Sequence, residues 1–235
     1  MAERADVMQL AFLGTGAAFA LERYNGAVCV DRRLLLDAGA PLLPHLHRVG
    51  IDPAGIEVCF LTHFHGDHLA GLIPYLCFRS FEPTRPLTIV GPPGVEERVG
   101  RLLEAAWGSE WTEMRAAFPL TFHEAGPSGE VGGVGYETVA LEHGAVPGMG
   151  YRLHLHGRVL AYAGDTRATP ALDRLVAGAD VAITEATSPG KAQVHTSFEE
   201  AAALVERHPT TRFFLNHIFA GAPPHAARDL QVVEV

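Results

Sequence analysis

The 235-residue chain carries 18 Lys and Arg against 27 Asp and Glu, a formal net charge of −9, together with 13 His. With 48% hydrophobic and 19% charged residues it can bury a sizeable core, which excludes wholesale disorder. The acidity argues against broad, sequence-independent nucleic-acid binding, which rests on Lys and Arg neutralising phosphates. No apolar run approaches the roughly 18 residues of a membrane span, so no membrane association is expected.

Met8–Leu13 reads as a strand followed by a turn at Gly14-Thr15-Gly16. Met8 to Ala20 also mimics a signal peptide ending in Ala18-Phe19-Ala20, but Glu3, Arg4 and Asp6 make its start net negative, where a secretory segment is positive. Ala27–Val30 and Leu34–Asp37 form a hairpin pattern, Pro41–Val49 a helix stopped at Gly50, and Ile56–Leu61 a short apolar strand. Asp67–Phe78 reads as a helix opening on an acid, Leu87–Val90 as a strand, and Val95–Trp107 as a helix with one apolar face. Gly108–Met114, Gly126–Gly135 and Ala145–Gly150 read as loops. Tyr136–Leu141, Tyr151–Leu155 and Val159–Ala163 follow as strands, Pro170–Val176 as a helix, Val181–Thr184 as a strand, Phe198–His208 as a helix and Phe213–Leu215 as a last strand. Strands and helices are interspersed in both halves with no linker-like tract. A single layered α/β domain over residues 1–235 is expected.

Cys29, Cys59 and Cys77 are widely spaced in apolar surroundings, which suits small buried thiols in a reducing, cytoplasmic compartment. The chemistry concentrates at Thr62-His63-Phe64-His65-Gly66-Asp67-His68, directly after the Ile56–Leu61 strand. His63 and His65 share a face of extended backbone, Gly66 permits a sharp turn, and Asp67 and His68 start a helix. One strand-to-helix corner can therefore serve two metal ions. Imidazole with carboxylate suits zinc, manganese or iron rather than magnesium or calcium.

His-x-His-x-Asp-His after an apolar strand resembles the signature of the metallo-β-lactamase superfamily. That resemblance implies a four-layer αββα sandwich with a dinuclear metal site at one edge of two facing sheets. Further stations occur in the family's order. Asp37, in Asp37-Ala38-Gly39, resembles the Asp that buttresses the site. His143 resembles the His that completes the first metal, Asp165 the bridging carboxylate, and His217 the last ligand. The resemblance implies that His63, His65 and His143 bind one cation, and Asp67, His68 and His217 the other, with Asp165 between them. Two divalent ions, zinc first and manganese or iron as alternatives, would hold a bridging hydroxide as the nucleophile.

Phe12-Leu13-Gly14-Thr15-Gly16, Thr184-Glu185-Ala186-Thr187 and His195-Thr196-Ser197 resemble the ribonuclease Z group. There the Glu and the later His form a relay, so Glu185 would orient His195, and His195 would act as general acid beside Asp67 in the catalytic set. Two departures stand out. The long arm with which ribonuclease Z grips transfer RNA is missing between His143 and Asp165, and Asn216 precedes the last His where Thr or Ser is common. The leading expectation is thus a metal-dependent hydrolase of small phosphodiesters or related anionic esters. Lactone, thioester, β-lactam or aryl sulfate hydrolysis is the alternative. Transfer-RNA 3′ processing ranks lower, and a non-catalytic metal-binding domain lowest. Nucleic acid is disfavoured as a partner, and a homodimer is carried from the family. Specificity is expected in Gly108–Met114, Ala145–Gly150 and Ala186–Val194. Other histidines look peripheral: His45 and His47 surface or partly buried, His154 and His156 on one strand face.

Overall fold

The computed structural model describes residues 7–82, 85–190 and 193–235. The acidic start at Glu3, Arg4 and Asp6 lies outside them, as does Lys191, the one lysine. Strands run from β1 (Gln9–Gly14) through β2 (Ala27–Val30), β3 (Leu34–Leu36), β4 (Val58–Phe60), β5 (Leu87–Gly91), β6 (Leu120–Glu124), β7 (Ser128–Val131), β8 (Val134–His143), β9 (Val146–Leu155), β10 (Arg158–Tyr162), β11 (Val181–Glu185) and β12 (Arg212–Asn216) to β13 (Gln231–Glu234). Helices are α1 (Leu42–Arg48), α2 (Gly66–Leu69), α3 (Leu72–Ser80), α4 (Val95–Trp107), α5 (Glu110–Ala117), α6 (Pro170–Val176) and α7 (Phe198–Arg207).

The strands form two sheets, ordered β13-β1-β2-β3-β4-β5-β6 and β12-β11-β10-β9-β8-β7. Alternation along each strand builds the layers, because successive side chains point to opposite faces. In β1, Leu10 and Phe12 enter the core between the sheets, while Ala11 and Leu13 face the helices. In β10, Leu160 and Tyr162 enter that same central core, and Ala161 packs with Leu172 and Leu175 of α6. The result is the αββα sandwich. Strands buried on both faces read as continuous apolar runs, as Leu34–Leu36 and Val181–Ile183 do.

Several elements differ from the sequence expectation. The single helix over Asp67–Phe78 is two helices, broken at Ala70-Gly71. A Cβ on Gly71 would stand 2.4 Å from the Ala40 carbonyl and 2.5 Å from that of Ala38, so the chain turns where it meets the segment after β3. Gly108–Met114 is not a loop: it opens α5, whose Trp111 packs into the core outside the first sheet. Gly126–Gly135 holds the β7–β8 hairpin, turned by Gly132 and Gly133, both at positive φ. Ala145–Gly150 is mostly the start of β9. β6 and β13 lack a strong period of their own and are recruited by pairing, parallel to β5 and antiparallel to β1 respectively.

Two histidine readings are also corrected. His45 is buried, with Nδ1 2.7 Å from the Leu13 carbonyl and its ring edge-on to Tyr24. His154 and His156 do not share a strand face, because β9 ends at Leu155 and His156 sits in the following turn at φ 53°. His154 meets Glu137, and His156 meets Asp31.

Candidate metal centre

Every residue of the expected site follows the carboxyl end of a strand on one edge of the sandwich, where open α/β sheets hold their ligands. Asp37 follows β3, His63 to His68 follow β4, and His143 closes β8. Asp165 follows β10, Glu185 closes β11 and His217 follows β12. Asp37 and His217 take left-handed backbone, at φ 55° and 52°. Such conformations cost non-glycine residues on the order of 1–3 kcal/mol and persist where their surroundings enforce them.

Two clusters result. In the first, His63 Nε2 is 3.0 Å and His143 Nε2 3.2 Å from His65 Nδ1, while Asp165 Oδ2 lies 3.8 Å from His63 and 3.7 Å from His143. In the second, His217 Nε2 is 3.3 Å from both Asp67 Oδ2 and Asp165 Oδ2. His68 Nε2 stands 3.4 Å from Asp67 Oδ2 and 3.1 Å from Asp165 Oδ1. Asp165 belongs to both clusters.

The far ring nitrogens set which atom each imidazole presents. His68 Nδ1 lies 2.9 Å from Asp37 Oδ2, His143 Nδ1 3.0 Å from the Val194 carbonyl, and His63 Nδ1 3.1 Å from Thr62 Oγ1. His217 Nδ1 faces Thr187 Oγ1 at 3.3 Å. Four rings therefore aim Nε2 at the centre, whereas His65 aims Nδ1.

These residues fit divalent cations on two observations. In the first cluster two imidazole nitrogens, from His63 and His143, stand 3.0 and 3.2 Å from that of His65. That is near the roughly 3.3 Å separation of ligands about 2.0–2.1 Å from a tetrahedral zinc. In the second cluster His68 Nε2 and Asp165 Oδ1 are buried and make no hydrogen bond, although they lie 3.1 Å apart. A buried polar atom without a partner is costly, and a cation would satisfy both.

Electrostatics divides the ligands. Burial, reinforced by neighbouring His68, pushes His63 down to about 2, and burial with His143 lowers His65, so both rings are neutral. Burial works against a charge on His217, but Asp165, a hydrogen bond to Asp67 and the nearby Glu185 carboxylate raise it to about 10. His68 is raised in the same way against its burial by Asp165 and Asp37. Burial opposes ionisation of Asp67 too, yet the His217 hydrogen bond and the neighbouring His68 ring hold its carboxyl low. The second cluster thus attracts positive charge, borne by protons when no metal competes.

Beneath lies Asp37, the expected buttress, together with supporting residues that sequence reasoning missed. Asp37, fully buried, accepts from Thr62 N at 2.8 Å and from the Tyr162 hydroxyl at 2.8 Å while it faces His68. Asn216 neighbours the Tyr162 hydroxyl, which places the residue before the last His beside the chain Tyr162–Asp37–His68. Tyr162 and Thr62 carry no sequence signal, since each is an ordinary strand or strand-end residue. Gly39 has one: the Asp-x-Gly spacing. A Cβ there would lie 1.8 Å from the Asp67 carbonyl oxygen, so the loop after β3 and the start of α2 touch backbone to backbone.

Beside the clusters, His195 Nδ1 sits 3.0 Å from Glu185 Oε2 and 3.9 Å from Asp165 Oδ2. Glu185 is fully buried and fully engaged, taking Thr166 N on one oxygen and the Thr187 hydroxyl with His195 on the other. That leaves it a proton partner for His195 rather than a cation ligand. Burial would lower His195, but the Glu185 carboxylate outweighs it and raises the ring's pKa. Between His143 and Asp165 the chain makes only the β9–β10 hairpin, with no projecting arm.

Residues 8–231 match the family described as Anti-Pycsar protein Apyc1. The chain belongs to that family. The Apyc1-family chain is also similar to ribonuclease Z of Limosilactobacillus fermentum, 29% identical over 280 aligned positions that cover 91% of this chain and 88% of the relative. That alignment is longer than the chain itself, so the relative carries insertions. The metallo-β-lactamase fold protein YhfI of Bacillus subtilis superposes with a TM-score of 0.80 at 18% identity, covering 98% of this chain and 100% of that one. A diphosphatase of the PhnP family superposes at 0.73 and 18% identity, covering 96% and 97%. This Apyc1-family member thus has the metallo-β-lactamase fold and resembles ribonuclease Z in sequence. Among the described residues no helix is long and apolar enough to cross a membrane.

Proposed function

We propose that the protein is a dinuclear phosphodiesterase acting on small phosphodiesters or related anionic esters. The observation that carries this reading is one carboxylate, Asp165, shared by two ligand clusters with the Glu185–His195 pair alongside. His63, His65 and His143 would hold one cation, Asp67, His68 and His217 the other, and Asp165 both. Zinc is the first candidate for this donor set, with manganese or iron as alternatives. Bound there, the cations supply the Lewis acidity that activates water and neutralises the ester's charge.

The chain's own groups do the rest. Asp67, ionised and less buried than its neighbours, accepts a hydrogen bond from the attacking water and orients it. His195 keeps its proton through the Glu185 carboxylate and gives it to the departing oxygen. Asp37 fixes the tautomer of His68.

Purified protein loaded with each metal should hydrolyse bis(p-nitrophenyl) phosphate and lose activity on chelation. Absence of turnover in the zinc, manganese and iron forms would sink the reading. Faster hydrolysis of a lactone, nitrocefin or an aryl sulfate would instead move the activity to those esters. A ribonuclease reading has its own support in the relatives' name. Incubation with precursor transfer RNA tests it, and the absence of an arm between His143 and Asp165 predicts little cleavage.

A further inference from the structure

Glu185 Oε2 already has two partners. It accepts the Thr187 hydroxyl, and His195 Nδ1 lies 3.0 Å from it, while Oε1 accepts Thr166 N. A carboxylate offers about two lone pairs on each oxygen, so the hydroxyl and His195 together fill Oε2.

A third donor stands close by. His217 aims Nε2 at Asp67 and Asp165, each 3.3 Å away, which leaves its Nδ1 on the Glu185 side. Nδ1 is 3.6 Å from Glu185 Oε2, too far for a hydrogen bond, and 3.3 Å from Thr187 Oγ1. A neutral ring that gives Nε2 to a cation carries its proton on Nδ1. His217, Thr187 and Glu185 are all buried, so that proton needs an acceptor within the protein. A hydroxyl can accept one hydrogen bond while donating another, which a carboxylate cannot. Thr187 Oγ1 therefore accepts from His217 and donates to Glu185.

The backbone of Thr187 is tied to the same two histidine segments. Its N–H donates at 2.9 Å to the carbonyl of Thr196, the residue after His195. Its carbonyl accepts at 2.9 Å from the N–H of Phe219, two residues after His217. The branched side chain is also restricted at χ1, which narrows the directions open to the hydroxyl.

We propose that Thr187 is a positioning residue for both halves of the centre: its hydroxyl accepts the His217 ring proton and thereby reserves Glu185 Oε2 for His195. The inference deepens the phosphodiesterase reading and rests on its assignment of His217 to the second cation and of His195 to proton donation. Without the hydroxyl, the His217 proton has no acceptor in reach unless the ring shifts to Oε2, where it displaces His195. Cation affinity and proton donation then fall together.

Thr187→Val keeps the shape and removes both hydrogen bonds, Thr187→Ala does so without the bulk, and Thr187→Ser keeps the hydroxyl. The first readout is zinc affinity by competition with a chromophoric chelator, which is independent of turnover. In the Val and Ala variants one of the two zinc equivalents should weaken by about 10–100-fold, the usual cost of losing such a partner, while the other holds. The second readout is kcat of zinc-saturated protein on methyl p-nitrophenyl phosphate, whose leaving group departs without a proton, and on methyl phenyl phosphate, whose leaving group needs one. The Val and Ala variants should lose roughly tenfold or more in kcat on the phenyl ester relative to the nitrophenyl ester. The Ser variant should stay near the parent in both assays. Equal losses on the two esters, equal weakening of both zinc equivalents, parent-like zinc affinity in the Val and Ala variants, or no rescue by Ser would each overturn the proposal. If the parent turns over neither ester, the phosphodiesterase reading fails. The zinc competition then still decides the His217 contact: weakening of one equivalent with rescue by Ser supports it, and parent-like affinity overturns it.

Discussion

Each side chain at the centre is held by a second one, and that makes single substitutions informative. Glu185→Gln keeps the shape of a fully buried group but removes the charge that holds the proton on His195. Its expected effect is on kcat, up to the roughly 10²–10⁴-fold that a positioned proton donor contributes, with metal content and KM little changed. An unchanged kcat would remove His195 from the proposed chemistry. Asp37→Asn acts on the other side, weakening the acceptor that orients His68. Loss of such a supporting partner typically costs 10–100-fold in metal affinity, readable by competition with a chromophoric chelator. The thiols fit the same logic. Burial pushes Cys29 up to about 12 and raises Cys59, consistent with the expectation of inert core cysteines, while Cys77 is only half-buried.

At the scale of elements, the site depends on backbones that nearly touch. Gly39→Ala would force the loop after β3 away from the start of α2, because the added methyl has 1.8 Å where it needs a van der Waals distance. We expect destabilisation on the order of 1–3 kcal/mol by calorimetric Tm, together with loss of the second cation by metal analysis. Parent-like behaviour in both would mean that the two segments separate freely. This contact also shows what was legible beforehand. The apolar period of Val95–Trp107 was long and one-sided, and that helix and the short one at Pro170–Val176 have the expected bounds. The residues that gather into the two candidate clusters were legible because their types are rare and their spacing is tight. The split between α2 and α3 was not, since Gly71 is demanded by the carbonyls of Ala38 and Ala40, which only the folded chain brings near. The same holds for β6 and β13, whose strand character comes from partners distant in sequence, and for Tyr162, which crosses from one sheet to Asp37 under the other.

For the whole molecule, charge at the centre sets a pH dependence. In metal-free protein His217, raised to about 10, and His68, also raised, keep protons that the unfolded chain loses near pH 6.5. A raised pKa contributes stability that is complete below the unfolded value and is lost as pH climbs through the folded one. The Tm of chelated protein should therefore fall between about pH 6.5 and about pH 10. Cation binding must displace those protons, so loading should release them, visible as a buffer-dependent heat, and should flatten or reverse the slope. A chelated protein whose Tm rises across that window would contradict the charge assignment.

The pairing of β1 with β13 has a consequence for how the protein is made. β1 lies between β2, its neighbour in the chain, and β13, more than two hundred residues later. Synthesis proceeds from the N-terminus, so a nascent chain presents β1 as an open, apolar strand edge until Gln231–Glu234 have been made. Open edges of this kind template association between chains. Products released before Gln231–Glu234 should collect in the sedimented fraction, and supplying the missing segment as a peptide should return part of them to solution. If truncated chains stayed monodisperse, the edge would have to be shielded during synthesis by something other than its final partner.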